Sequence, residues 1–590
     1  MATGPSTGLP VMEAARLRIE RRKVPDVEFA WPDDVSPVLR RVLAVRGVTS
    51  PGDLDYRVQR LLRPDGLGGI GRACDLLAQA IESNRRVLIV GDYDADGATA
   101  CALMVRGLRL LGARDVRWRV PDRMRHGYGL TPGLVEEIQA DLPALIVTVD
   151  NGIASHDGIA TANAHGCDVI VTDHHLPAAR LPEAAAIVDP NLPGDPFPSK
   201  AIAGAGVAFY LLLALRARLF PDASSVNAAH STVGGKGPRP DFAGLLDLVA
   251  LGTVADVVPL DANNRILVAA GLRRIRSGKA CPGITALCTV AGRDPSRLVA
   301  SDLGFAIGPR VNAAGRLETI GIGIECLLAD DPVRAMDLAR QLHEINAMRR
   351  ELQDGIVGDL DTAIAACVGD SKLGVVLHDA SWHPGIVGLV ASKVRERLHR
   401  PVIAFAGAGA ELRGSARSIP GFHVRDALAL VDAREPGLIL RFGGHAMAAG
   451  LSLRPPDVTQ FARSFDDATR ALIDPATLEP VIFTDGELAC GEITLEGAER
   501  LAVAGPWGQG FPEPRFENVF RCLEWRRVGA DRRHVRMRLE DPRDGSPFDA
   551  IQFDCRRDPP GLARVVYAPT VDEWQGRSRL KLRVEYVEPV

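Results

Sequence analysis

Four short runs set the strongest constraint on the fold: RVLIVGD (86–92), ALIVTVD (144–150), DVIVTD (168–173) and AAAIVDP (184–190). Each is dominated by apolar residues, rich in Val and Ile, and each reaches an aspartate. Runs of this kind suit strands buried on both faces of a parallel sheet. Helical stretches such as TACALMVRGLRLLGA (99–113) lie between them, and the alternation predicts a doubly wound α/β domain. Ligands bind such sheets beyond the carboxyl ends of the strands. The predicted fold therefore draws Asp92, Asp150, Asp173 and Asp189 toward one rim. Asp94 and Asp96 follow in the first loop, His174 and His175 follow Asp173, and Asp256 follows a further apolar run in LGTVADVVPL.

Carboxylates gathered in this way need a counter-charge. Two of them about 4 Å apart repel by roughly 4 kcal/mol at an effective dielectric near 20. Divalent cations remove that penalty, and oxygen donors with one or two imidazoles suit Mn²⁺ or Mg²⁺. A lone Asp at a strand end is as a rule a cap or turn residue, and Asp189 reads that way. Asp173 stands open between metal ligand and hydrogen-bond partner of a histidine. The competing phosphate motif GxxxxGK[ST] does not occur.

The rest of the chain bounds the possibilities. Its 590 residues exceed a single hydrophobic core, so three or four domains are expected. A net charge of -4 leaves nucleic-acid contact to local patches. No apolar run is long enough to span a membrane, and the N-terminal residues lack the apolar core of a signal peptide. Ten cysteines without a CxxC pair argue against a thiolate zinc site or a disulfide framework, and a reducing cytoplasm fits best. Residues 222–241, polar and rich in Gly and Pro, read as a mobile surface loop. Apolar residues at steps of three and four from Leu338 to Ile364 predict a long helix starting near Pro332 with Asp331 as cap. HVRMRLE (534–540) and LKLRVEYV (580–587) alternate as strands do. Arg515–Arg538 holds eight arginines with Phe516, Phe520 and Trp525 interleaved; the aromatics are read at least equally as barrel core, and none is named as a site.

These residues resemble the DHH phosphoesterase superfamily, whose Asp-His-His motif is Asp173-His174-His175 here. The match runs through GDYDADG (91–97), VDNG (149–152) and GTVADVVPL (252–260). GPRVNAAGRL (308–317), WHPGIVG (382–388), GSARSIPGFH (414–423), GGHAMAAG (443–450) and PWGQGFPEP (506–514) are similar to the bacterial RecJ type. The resemblance implies a parallel-sheet DHH domain and a second α/β domain, DHHA1, joined by a long helix. A C-terminal β-barrel of OB-fold type follows. Expected boundaries are a helical lead-in at 1–80, the DHH domain at 81–275, a linker with the long helix at 276–370, DHHA1 at 371–468 and the barrel at 469–590.

The activity implied is a 5′-to-3′ exonuclease specific for single-stranded DNA, acting in repair and recombination with two Mn²⁺ or Mg²⁺ ions. Carried across by motif, Asp94, Asp96, Asp150, His174 and Asp256 are the implied metal ligands, with Asp150 bridging. Asp92 completes the first site or holds its water, and His175 donates to a phosphoryl oxygen or the leaving group. Related DHH pyrophosphatases carry a histidine four residues before the first Asp of DxD. Here that position is Val90, so weaker binding of the first ion is expected. Arg123, Arg310, Asn312 and Arg316 are candidate phosphate contacts. Ser415, Arg417, Gly443, Gly444 and His445 are read as a pocket for the terminal 5′-phosphate. All implied ligands precede residue 260, so the barrel is expected to supply binding but no catalytic group. Single-strand-binding protein and a helicase are implied partners, and a monomer is expected. The competing readings are a phosphodiesterase of short oligonucleotides or cyclic dinucleotides, and a non-catalytic nucleic-acid scaffold.

Overall fold

The computed structural model describes residues 17–590 except 27–30, 34, 123–124, 139–144, 222–238, 370–371, 408, 530–531, 556 and 575–576. Most of the polar segment 222–241 and Arg123 thus lie outside the described residues. The chain divides into two compact units, Arg22–Asn346 with Asp485–Val590, and Met1–Arg21 with Ala347–Thr484.

The first unit contains a five-stranded, all-parallel sheet in the order Val116–Arg119, Val87–Val90, Leu145–Val149, Asp168–Thr172, Ala186–Val188. Residues 87–90 and 145–149 are buried throughout, as their unbroken apolar character requires. The chain leaves Val87–Val90 for one neighbour and returns to the other, Leu145–Val149. The switch point of the topology therefore lies between these two strands, and their carboxyl ends carry Asp92 and Asp150. The helices Gly204–Leu219 and Leu246–Ala255 are almost wholly apolar and buried, and both pack on Ala95–Leu110.

The same unit holds a closed barrel of five strands in the order Phe516–Val528, His534–Glu540, Pro547–Gln552, Arg577–Pro589, Leu562–Trp574. Phe516, Phe520, Met537, Val565, Tyr567 and Leu582 fill its interior. Trp525 lies outside at 41% exposure, so the three aromatics of the arginine-rich segment separate into two core residues and one surface residue. Several arginines of that segment are paired on the barrel surface: Arg521 with Glu540 and Arg538 with Asp549 on neighbouring strands, and Arg527 with Asp558 in a loop.

The second unit is built on a mixed sheet in the order Arg441–Gly444, Ala448–Leu453, Leu412–Arg417, Val402–Ala406, Val375–Asp379; only the last pair is parallel. The helix Pro332–Gly369 is continuous, and Asp331 accepts from the backbone N–H of Val333 and Arg334 at its start. Its apolar stripe is buried at Leu338, Leu342, Ile345 and Ile364, whereas Met348 and Leu352 are exposed.

The N-terminal region is less helical than expected. Arg18–Arg21 is a strand paired in parallel with Val481–Thr484, and helices Pro37–Ala44 and Ile70–Glu82 are separated by three short 3₁₀ turns. Pro51 and Pro64 start two of those turns, where a fixed φ and a missing N–H favour short turns over a continuous helix. No described helix is long and apolar enough to cross a membrane.

Candidate metal centre

The first loop folds tightly. Asp94 caps the helix Ala95–Leu110, its Oδ1 accepting from the Gly97 N–H at 3.0 Å. A Cβ on Gly97 would stand 2.6 Å from the Asp92 backbone nitrogen, so only glycine allows the chain to turn into the helix here. Asp96, in the first turn, is buried and accepts from the N–H groups of Gly204 at 2.6 Å and Ala205 at 3.0 Å. It thereby stabilises the positive end of the helix Gly204–Leu219. Gly204 must also lack a side chain, because a Cβ would fall 2.5 Å from that of Asp150.

Asp150 adopts φ +61°, a left-handed conformation that costs a non-glycine residue of order 1–3 kcal/mol and recurs at functional sites. Its N–H donates to Thr172 O at 3.0 Å. The buried Asn151 side chain donates to Val90 O at 3.1 Å and Val149 O at 2.8 Å, tying together the two strand ends that flank the switch point. Asp150 Oδ1 lies 3.0 Å from His174 Nε2, and Asp256 Oδ2 lies 3.5 Å from the same nitrogen. Asp256 ends the helix Leu246–Ala255.

Asp173 organises the Asp-His-His turn. Its Oδ1 accepts from the N–H groups of His174 at 2.8 Å and His175 at 3.2 Å and lies 2.7 Å from His175 Nδ1, while Oδ2 accepts from Ile153 N–H at 2.9 Å. Burial works against its charge, but the His175 hydrogen bond and the other donors hold its carboxyl below the usual range. In His175, burial is likewise outweighed, and its bond to Asp173 brings the imidazole up to about 9. Asp189 accepts from Asn191 N–H at 2.8 Å, a turn role; burial pushes its carboxyl up to about 7.

Three overlapping sets of donor atoms each lie within 4.8 Å of one another: Asp92, Asp94 and Asp150; Asp96, His174 and Asp256; and Asp150, His174 and His175. Burial, followed by neighbouring carboxylates, pushes Asp92, Asp150 and Asp256 well above the usual range and Asp96 up to about 7. Asp92 Oδ1 is buried without a hydrogen bond among the described residues, and Asp150 Oδ1 lies beside His174 Nε2 at 3.0 Å without forming a hydrogen bond to it. Buried, mutually repelling carboxylates with oxygens left unbonded fit divalent cations, and donors limited to oxygen and imidazole fit Mn²⁺ or Mg²⁺.

The other sequence-derived candidates are distributed differently. Asn312 Oδ1 accepts from Ala95 N–H at 2.7 Å, so its amide secures the start of the Asp94-capped helix. Arg310 turns inward, its guanidinium donating to Ala306 O and Val290 O and meeting His343. A buried guanidinium committed to carbonyls is a structural brace, which differs from the phosphate contact expected of it. Arg316 lies near the end of the helix Gly308–Leu317 and follows Gly315, where a Cβ would fall 1.9 Å from Tyr93 O, placing the end of this helix against the acidic loop.

In the second unit, Arg417 Nη1 donates to Ser415 Oγ at 2.8 Å. Gly443, Gly450 and Ser415 are in register across three strands, with open space above both glycines. Gly444 has φ +135°, and His445 N–H donates to Ala448 O, closing the hairpin.

The sequence reading did not single out Tyr128, Asn151 or Asn191. Tyr128 stands edge-on to Tyr93 at 5.8 Å and to His175 at 6.1 Å, partly exposed beside the site. Asn191 Nδ2 donates to His174 O at 2.6 Å. The only advance signals were the glycines flanking Tyr128 in HGYGL and the amide within VDNG.

Residues 86–253 match the DHH family, N-terminal domain; residues 364–471 match the DHHA1 domain; and residues 484–586 match the RecJ OB domain. The single-stranded-DNA-specific exonuclease RecJ of Dickeya dadantii is 48% identical over 578 residues, which cover 96% of this chain and 99% of that protein. The crystal structure of RecJ in complex with Mn²⁺ from Thermus thermophilus superimposes with a TM-score of 0.77 at 31% identity, covering 94% of this chain and 76% of that one. The corresponding Mg²⁺ complex gives 0.71 at 30% identity, over 94% and 75%. With three domains matched in order and near-complete coverage of a relative at 48% identity, the chain belongs to the RecJ family of single-stranded-DNA-specific exonucleases.

Proposed function

We propose that this chain hydrolyses single-stranded DNA from the 5′ end, releasing 5′-mononucleotides with two Mn²⁺ or Mg²⁺ ions. The observation that carries this reading is the overlap of three donor sets at the switch point of the sheet. Asp94, Asp96, Asp150, His174 and Asp256 would hold the ions, Asp150 serving both sites, and Asp92 would complete the first site where Val90 offers no donor. When bound, such ions lower the pKa of water to yield hydroxide and neutralise charge developing on the phosphoryl group. Asp173 takes His175 Nδ1, so exchange of a proton with substrate falls to Nε2, which donates to a phosphoryl oxygen or protonates the departing 3′-oxygen.

Direction is assigned to the second unit. Ser415, Arg417 and the backbone around Gly443, Gly444 and His445 receive the terminal 5′-phosphate, supported by an arginine beside a hydroxyl and by open space over Gly443 and its neighbour Gly450. Arg316 adds a phosphate contact, and Arg123 keeps that role as an expectation. The barrel adds binding to longer strands. Single-strand-binding protein and a helicase are proposed partners, with the chain acting as a cytoplasmic monomer. The test is digestion of 5′- and 3′-end-labelled single- and double-stranded DNA with Mn²⁺, Mg²⁺ or EDTA. Metal-dependent loss of single strands that a 5′ block prevents and a 3′ block does not is the expected result; equal protection by either block would overturn the direction.

A further inference from the structure

Val257, directly after Asp256, is a β-branched residue with φ +61°. Such a conformation persists only where surrounding structure over-determines it. The Val257 side chain is 64% exposed, so packing does not impose it. Upstream, Val257 directly follows the helix-ending Asp256, and its N–H reaches back to Val254 O at 3.3 Å; the second restraint is on the backbone that follows. Leu260 N–H donates to Gln509 O at 2.7 Å, Asn264 Nδ2 donates to Pro259 O at 2.9 Å, and Arg265 Nη1 donates to Leu260 O at 3.0 Å.

Gln509 belongs to the segment leading into the barrel, and its carbonyl is itself rigidly presented. Gly508 and Phe511 exchange both backbone hydrogen bonds, at 2.9 and 3.1 Å, and Gly510 has φ +71°. The buried Phe511 stacks on Trp507 with ring centroids 5.2 Å apart, and the Arg265 guanidinium sits 4.4 Å from its ring centroid. A Cβ on Gly510 would come within 3.3 Å of Pro259.

We propose that the Gly508–Phe511 turn is a positioning element of the metal centre: by holding Pro259 and Leu260 it maintains the strained Val257 and so fixes Asp256. The barrel segment thus contributes no ligand but supports one from outside, as hydrogen-bonded partners of metal ligands generally do. The proposal rests on the reading of Asp256 as a metal ligand.

The test uses the full chain, with Mn²⁺ as probe, free Mn²⁺ measured by electron paramagnetic resonance, and folding checked by circular dichroism. Gly510→Ala and Phe511→Leu are each expected to weaken Mn²⁺ binding roughly 10–100-fold and to reduce the rise in melting temperature that Mn²⁺ produces. Single-strand binding in EDTA should be unchanged. Adding Val257→Gly, which takes the left-handed conformation at little cost, should restore Mn²⁺ affinity to Gly510→Ala. Parental Mn²⁺ affinity in both turn variants, or failure of Val257→Gly to rescue, would overturn the proposal. Asp256→Asn separates the two levels: if it binds Mn²⁺ like the parent, the ligand reading fails and this proposal with it. If it loses binding while the turn variants do not, only the positioning role fails.

Discussion

Asp173 Oδ1 lies 2.7 Å from His175 Nδ1 while the same carboxylate accepts three backbone N–H groups. One buried acid therefore sets both the path of the Asp-His-His turn and the orientation of its second imidazole. His175→Ala should lower kcat roughly 10²–10⁴-fold with little change in Mn²⁺ affinity. Single-turnover cleavage beside a Mn²⁺ titration checks this, and a matching loss of Mn²⁺ binding would reassign His175 as a ligand.

The metal-free protein should depend on pH in a defined sense. Burial, then Asp94, raises the Asp96 carboxyl from 3.8 to about 7. A raised carboxyl binds its proton more tightly in the folded state. Its contribution to stability is present below the unfolded value of 3.8 and is lost as pH rises through about 7. Asp92, Asp150 and Asp256 shift the same way. In EDTA the melting temperature should fall from about pH 5 to about pH 8. Mn²⁺ at about 100 times its Kd should add roughly 2.7 kcal/mol at the upper end. A melting temperature indifferent to both would argue against a buried carboxylate cluster.

Arg417 and Ser415 supply the 5′-phosphate assignment. Arg417→Ala should remove preference for a 5′-phosphate over a 5′-hydroxyl. A hydrogen bond to a charged group is worth about 1.5–3 kcal/mol, so KM for the phosphorylated strand should rise by one to two orders of magnitude. Competition between the two strands in one reaction reads this directly, and an unchanged preference would move the phosphate site elsewhere.

Trp525 is exposed on the barrel, unlike the buried Phe516 and Phe520, and is predicted to stack on a base. Trp525→Ala should weaken binding of long single strands by about 1–3 kcal/mol and leave cleavage of short oligonucleotides nearly unchanged. Fluorescence anisotropy with strands of graded length is the measurement; equal affinity at every length would place base stacking elsewhere.

What was legible in the sequence was what side chains announce. Buried parallel strands need unbroken apolar runs, so the ends carrying Asp92, Asp150 and Asp173 could be located before the fold was known. The aspartates and histidines then converge because the topology reverses between Val87–Val90 and Leu145–Val149. What was not legible acts through the main chain or through distant packing. The Gln509 carbonyl on Leu260 has no residue signature, and neither does the left-handed backbone of Val257. Arg310 reads in sequence like any phosphate-binding arginine, and only its burial against Ala306 O reveals a brace. Asn312 was singled out for an amide that in the fold serves Ala95.

The measurement closest to the central claim is cleavage of 5′-labelled single-stranded DNA by Asp150→Ala in saturating Mn²⁺, beside the parent chain in Mn²⁺ and in EDTA. Asp150 belongs to two of the three donor sets and sits at the switch point of the sheet. The predicted result is a folded variant that cleaves no faster than the parent in EDTA and has lost Mn²⁺ binding. Near-parental cleavage by a folded Asp150→Ala would contradict a metal centre built around this residue.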